Sequence, residues 1–328
     1  MDLARTKAKL LSRAELLGTG RGETELRRDL ARGTLHRVHV GWYVLGEHWT
    51  AAYAEERHLM QVLAVADRLE LGDTVVCGPS AGVLHGLPFF RTELDRVHVV
   101  GHRTDGSLRT SRGIARHRAE MPEADRTEVC GIPCTTLDRT VFDLIRSLSL
   151  EAAVAVADAA LRRVAWYDRE RRYDEERAAA WKAGMRQRLD AAAGARGIRQ
   201  ARWVIEFADG RAQLPGESVS RLQIHRLGFR PPLLQVRVPA PSGPDYAVDF
   251  FFTDADGFGE FDGLVKYHDL RLSRGAPSRL VFDAEKARED WIRGTTQRPM
   301  ARWGAAHIGD HHVLGTRLAK FGFRPPGA

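Results

Sequence analysis

Three carboxylates lie close together in the stretch from Tyr246 to Tyr267, YAVDFFFTDADGFGEFDGLVKY, at a spacing that a metal could use. Asp249 falls inside the apolar, β-prone run from Ala247 to Phe252, where a charge is costly unless it is paired or coordinated. Thr253 to Gly257 reads as a turn, and Phe258 to Asp262 as a second strand. Side chains alternate across a strand, so Glu260 and Asp262 share a face while Phe261 points the other way. If the two strands form a hairpin, Asp249 lies beside that pair. The resulting oxygen-rich cluster suits Mg²⁺ or Mn²⁺.

The elements that must position these carboxylates follow from the flanking patterns. Ile198 to Ala208 reads as a helix closed near Gly210, and Pro215 opens a second helix that carries Glu217. Strands follow around Leu234 to Val238, Tyr246 to Phe252 and Phe258 to Asp262, then a helix from about Ser278 to Arg293 and a last strand near Met300 to Ala305.

That order, together with the Glu217, Asp249, Glu260 set, resembles the restriction-endonuclease-like fold and its PD-(D/E)xK signature. Within it the closest likeness is to the very-short-patch-repair-like branch, where a Glu-x-Asp-Gly segment, here Glu260 to Gly263, stands in the second strand. The resemblance spans roughly residues 197 to 310 and implies Mg²⁺- or Mn²⁺-dependent hydrolysis of DNA phosphodiester bonds. Asp249 and Glu260 would be direct metal ligands, and Glu217 would reach in from the preceding helix, directly or through a water. The metal polarises the scissile phosphate and lowers the pKa of the attacking water. A Lys usually stands two positions after the Glu260 position to offset transition-state charge, and here that position is Asp262. Either Lys266 or Lys286 could bring an ammonium from another backbone position, or Asp262 could be a further ligand.

Composition sets the partner class. The chain has 328 residues, 43% of them hydrophobic, enough for two or three domains with their own cores. Its formal net charge is +7 with a pI near 9.6, and Arg dominates the basic residues, which suits phosphate. Double-stranded DNA is the expected partner. Cys77, Cys130 and Cys134 complete no four-ligand zinc spacing. With no signal-peptide pattern and no apolar run near the roughly 18 residues of a membrane span, a soluble, cytoplasmic protein with no membrane partner is expected.

The first half supplies the DNA-binding features. Thr24 to Gly33 reads as a helix with a capping Thr and a Gly stop, and Thr34 to Leu45 as a hairpin around a Gly turn. Helices closed by a hairpin outline a winged helix-turn-helix over residues 1–50, with Arg27, Arg28, Arg32 and Arg37 on phosphates. Residues 51–161 form a second α/β unit. Between Arg96 and Arg118 six Arg, at 96, 103, 109, 112, 116 and 118, stand against one acid, Asp105. Arg103, Arg109, Arg112 and Arg116 are therefore candidate DNA contacts.

Three segments, the 32–44 wing, Gly78 to Pro88, and Gly131 to Thr140 with its Thr136-Leu137-Asp138-Arg139-Thr140 end, resemble the AbiEi-type antitoxin and transcriptional-regulator family of actinobacteria. The resemblance covers about the first half. It implies a winged-helix DNA binder that represses its own promoter, and a cognate toxin as a possible partner.

The expected architecture is thus α/β: a winged helix-turn-helix (1–50), a regulator-like α/β domain (51–161), an exposed, charged helical linker (162–196) and a restriction-endonuclease-like domain with a mixed sheet flanked by helices (197–328). The leading function is DNA binding coupled to metal-dependent cleavage; the alternative is a non-enzymatic regulator with a degenerate nuclease fold. Asp310 with His307, His311 and His312 is a weaker metal candidate, Gly257, Gly259 and Gly263 read as turn and bulge positions, and Ser218, Ser220 and His225 on one helix cannot set a triad.

Overall fold

The computed structural model describes residues 2–68, 74–101, 113–118, 120–263 and 278–327, with the backbone alone for 278–282. It is a mixed α/β protein of two compact units. One comprises Met1–Leu148 with Gln187–Ala201, the other Ser149–Arg186 with Arg202–Ala328. No helix of the described residues is long and apolar enough to cross a membrane.

The first unit begins with α1 (Leu3–Lys7), β1 (Leu11–Ser12), α2 (Arg13–Gly18), α3 (Glu23–Arg32), β2 (Leu35–His39) and β3 (Trp42–Leu45). The three strands form an antiparallel sheet in the order β1-β3-β2. A capping box starts α2: Ser12 Oγ accepts from the Glu15 N–H at 3.1 Å, and Glu15 Oε2 accepts from the Ser12 N–H at 2.7 Å. The expected capping Thr of α3 is displaced. Gly22 is its N-cap, with no side-chain bond, and Thr24 lies inside the helix, whereas Gly33 ends it at φ +72° as expected. Leu16, Leu26, Leu35 and Tyr43 bury the inner faces of these elements together.

Next come α4 (Gly46–Ala51), α5 (Ala54–Arg68), β4 (Val75–Val76), α6 (Gly78–Leu84), β5 (Val97–Val100), β6 (Ile114–His117), β7 (Arg126–Val129), β8 (Ile132–Thr135) and α7 (Leu137–Ser147). The sheet order is β6-β5-β4-β8-β7, with β5/β6 and β4/β8 parallel and the other pairs antiparallel. The motif residues of this region have structural work. Thr136 caps α7 by accepting from the Arg139 N–H at 3.3 Å. Arg139 pairs with Asp125 at 2.8 Å and Asp143 at 2.9 Å, and Arg188 closes on Asp125 at 2.7 Å. Cys77 is the N-cap of α6, and Ser80 is buried within that helix.

The second unit contains α8 (Leu150–Ala165), β9 (Trp166–Tyr167), β10 (Arg172–Tyr173), most of α9 (Glu175–Ala191) and of α10 (Ile198–Phe207), then α11 (Pro215–Arg226), β11 (Leu233–Val238), β12 (Tyr246–Phe252), β13 (Gly257–Asp262), α12 (Ser278–Thr296), β14 (Met300–Gly304) and α13 (His311–Ala319). Ser149 caps α8, as its position before an Ala-rich run indicates. Residues 162–196 are not an exposed linker. They include the β9–β10 hairpin and α9, which buries Ala178, Trp181, Met185 and Leu189, and they divide between the two units.

The sheet that carries the acidic stretch runs β11-β12-β13-β14, antiparallel except for the parallel β13/β14 pair. On one face Phe250 and Phe252 pack on Trp303, whose indole N–H donates to Ser220 Oγ of α11 at 2.8 Å. A Cβ on Gly259 would stand 2.6 Å from the Trp303 ring, and one on Gly216 2.0 Å from Phe261, so these glycines admit the rings that seat α11. Gly259 is a packing position inside β13 and not the expected turn or bulge. On the other face Val236, Val238, Tyr246, Val248 and Phe251 gather with Phe258, Met300 and Ile292 of α12. Val248 and Phe251 are three residues apart in this cluster, so the two-residue alternation of β12 breaks between them, at Asp249.

Candidate active site

β12 and β13 pair at Phe250↔Gly259, Phe251↔Phe258 and Phe252↔Gly257, and then diverge. Asp249 and Glu260 face each other at the mouth of the resulting fork. The carboxylate of Asp249 fills it: Oδ2 accepts from the Phe261 N–H at 2.9 Å, replacing the ladder bond that the divergence removes. Opposite Asp249 on β11 stands Gln235, whose φ of +51° is rare for a residue with a Cβ. Its Nε2 lies 3.3 Å from Asp249 Oδ1 and 3.3 Å from Glu217 Oε2. The amide therefore ties the two carboxylates together, while its Oε1 accepts from Gln213 Nε2 at 2.9 Å.

Glu217 reaches the fork from the first turn of α11, 4% exposed, where its Oε2 also accepts from the Gln213 N–H at 2.8 Å. Glu260 projects from β13 toward α12. It is 7% exposed, and its Oε1 is 2.5 Å from Arg288 Nη2, which also donates to Ala247 O at 2.6 Å. Asp262 is held by Arg302 of β14, with Nη2 2.5 Å from Oδ1 and Nε 3.1 Å from Oδ2, and Arg302 Nη1 reaches Glu289 at 3.2 Å. The bonds to Asp262 raise the Arg302 pKa, with smaller contributions from the Glu260 charge and Glu289.

The structure joins Glu217 to Asp249 through Gln235, whereas Glu260 turns to the α12 side and pairs with Arg288, so among the described residues the three carboxylates do not gather within 4.8 Å of one another as the expected cluster would. Lys286 is exposed, and the cation on Glu260 comes from Arg288, two residues on. Lys266 lies outside the described residues. Gln235 and Arg288 went unnoticed in the sequence; a Gln in a short apolar strand carries no signal of positive φ, and Lys286 drew attention to the wrong face of the helix.

Hard oxygen donors are the chemistry that Mg²⁺ or Mn²⁺ requires, and Asp249, partly open to solvent at the fork, offers them with Glu217 and Glu260. Among the described residues the one trio of potential ligands with atoms within 4.8 Å of one another is Asp310, His311 and His312. The Asp310 carboxylate there is the N-cap of α13, accepting from the His312 N–H at 2.6 Å, and the positive end of a helix opposes a cation. Replacing Gln235 by Leu keeps the side chain's bulk at the same φ but removes the bridging donor. It is expected to lower the metal-free stability of the second unit by roughly 1–3 kcal/mol, read from urea unfolding.

In the first unit Arg27, Arg28 and Arg32 of α3 and Arg37 of β2 are all exposed, and among the described residues no ion pair engages them. Arg116 is on β6, half-buried. Arg103, Arg109 and Arg112 lie outside the described residues.

A histidine group stands nearby in β5 and β6. His98 Nδ1 is 2.9 Å from His117 Nε2, and Ser80 Oγ accepts from the His98 N–H at 2.8 Å and lies 2.9 Å from Nε2 of buried His58. Burial, reinforced by His117 and His58 and opposed by Asp95, pushes His98 down to about 4. The unfolded chain takes up this proton near pH 6.5, so from there to about pH 4 it binds more protons than the native state. Stability is expected to fall on acidification across that window. Amide exchange of β5 should show the fall, with a shallower slope in His98→Gln.

No family model matches the chain. Two proteins of Mycobacterium tuberculosis, the uncharacterized protein MT2308 of strain CDC 1551 / Oshkosh and the uncharacterized protein Rv2248 of strain H37Rv, are each 31% identical to it over 219 residues, 66% of this chain and 73% of theirs. The chain belongs to their family.

Proposed function

We propose that the protein binds double-stranded DNA through the basic surface of α3 and the β2–β3 hairpin and hydrolyses phosphodiester bonds at the fork of the second unit. The observation that carries this reading is the position of Asp249, held by the Phe261 N–H and joined through Gln235 to Glu217. The element order of the first unit's start fits a winged helix-turn-helix of the AbiEi-type regulators, and helix, three strands, helix, strand fits the restriction-endonuclease-like core.

Hydrolysis adds water across one P–O bond: the water oxygen bonds to phosphorus, the bridging bond breaks, and one water proton ends on the leaving oxygen. Asp249, Glu217 and Glu260 would hold Mg²⁺ or Mn²⁺, which polarises the phosphate and acidifies the water. In this reading Arg288 supplies the positive charge that Lys provides elsewhere in the fold. Incubating the purified protein with labelled duplex and Mg²⁺ or Mn²⁺ should give cleavage that EDTA abolishes; absence of cutting with either ion would remove the enzymatic reading.

A second reading, a non-enzymatic regulator, is favoured by one observation: Glu260 and Asp262 are already neutralised by Arg288 and Arg302. Both readings share the DNA surface. Removing Arg27, Arg28 and Arg32 together should weaken duplex binding and lower the slope of log K against log salt by about 3, measured by fluorescence anisotropy. An unchanged slope would take α3 off the DNA.

A further inference from the structure

We infer that Arg288 is an exchangeable occupant of Glu260: it holds the carboxylate in the metal-free protein, gives it up when a divalent cation binds, and then engages the phosphodiester of the nucleic-acid substrate. This inference rests on the proposed metal-dependent reading of the fork.

The geometry points to exchange at Glu260. Both polar contacts of Arg288, to Glu260 Oε1 at 2.5 Å and to Ala247 O at 2.6 Å, use the single atom Nη2, and its guanidinium also lies 5.7 Å from the centre of the Tyr246 ring. Among the described residues its Nη1 and Nε have no hydrogen-bond partner. A planar guanidinium with free donors is suited to the non-bridging oxygens of a phosphate. Ala247 is on the part of β12 that has already parted from β13, so Arg288 lies along the open edge of the fork beside Asp249.

Arg302 is the contrast. Its Nε, Nη1 and Nη2 are all bonded, to Asp262 and Glu289, which makes it a fixed cation. Arg302 also stands in register with Glu260 across β13/β14 and interacts with its charge. Glu260 therefore keeps a positive neighbour after Arg288 leaves.

A cation and a guanidinium that claim the same carboxylate oxygen must compete. Glu217, Asp249 and Glu260 do not draw together within 4.8 Å in the structure, where Arg288 sits on Glu260 and the Gln235 amide between the other two. Competition gives a sign that a structural role would not: removing Arg288 should tighten metal binding while weakening the engagement of substrate.

The test is Mn²⁺ titration of the full chain by calorimetry, with wild type, Arg288→Gln and Arg288→Lys, beside DNA cleavage at saturating Mn²⁺. Arg288→Gln is expected to bind Mn²⁺ about 10-fold more tightly yet to cleave roughly 100-fold more slowly, with Arg288→Lys between wild type and Gln in both. Wild type that binds Mn²⁺ while Arg288→Gln binds it equally or less well would overturn the exchange and leave the metal site standing. Mn²⁺ binding by neither wild type nor variant would overturn the exchange and the metal-dependent reading together. Should Arg288→Gln not fold, tighter binding by Arg288→Lys supports the exchange and unchanged binding sinks it.

Discussion

Asp249→Asn is expected to abolish metal-dependent cleavage, by about 1,000-fold or more, while duplex affinity stays within about 2-fold of wild type. The two effects separate because they belong to different units. Asp249 is the carboxylate at the fork, and the exposed arginines that would hold the duplex are on α3 and β2. Asn retains an oxygen to accept from the Phe261 N–H and so preserves the bond that fills the fork, but it lacks the charge a divalent ion needs. Single-turnover cleavage and anisotropy with the same duplex read both quantities. Equal loss of binding and cleavage would mean that the acidic fork is structural.

The largest stability effect is expected at a pair the reaction does not touch. Asp158 of α8 is fully buried and accepts from Arg221 Nη2 of α11 at 2.9 Å on each oxygen, and from the Asp209 N–H at 2.8 Å. Arg221 in turn donates to Phe207 O at 2.8 Å and lies 4.2 Å over the Phe207 ring. Asp158→Ala leaves this guanidinium buried without its counter-charge and is expected to cost about 3–5 kcal/mol, lowering the melting temperature by roughly 10 °C. Asp158→Leu with Arg221→Met removes both charges and should recover most of the loss, because an apolar pair is about as stable as a buried ion pair. Urea unfolding of the two variants checks this. The consequence reaches the fork, since α11 presents Glu217 from its first turn.

Much of the C-terminal core was legible because apolar runs and turn residues are local signals: β12, β13, α12 and β14 fall where their patterns place them. Asp249 announced itself as a charge in an apolar run. What the pattern could not carry was the break in alternation at Asp249, which depends on the left-handed Gln235 across the ladder. Nor could it show the partners of Glu260 and Asp262, because Arg288 and Arg302 arrive from later elements, Arg302 some 40 positions after Asp262. In a helix, positions 286 and 288 are about 200° apart, so the side chain two residues from the expected lysine points to a different neighbour. The stretch 162–196 misled for a related reason: its charges suggested exposure, while α9 buries Trp181, Met185 and Leu189 at spacings of four.

Whether the fork holds a divalent ion is tested most directly by Mn²⁺ binding to wild type, followed by the loss of the free-ion paramagnetic resonance signal, beside Asp249→Asn and the double variant His311→Ala with His312→Ala. One saturable site that Asp249→Asn loses and the histidine variant keeps is the expected result. No saturable site, or one that survives in Asp249→Asn and disappears with the histidines, would contradict it.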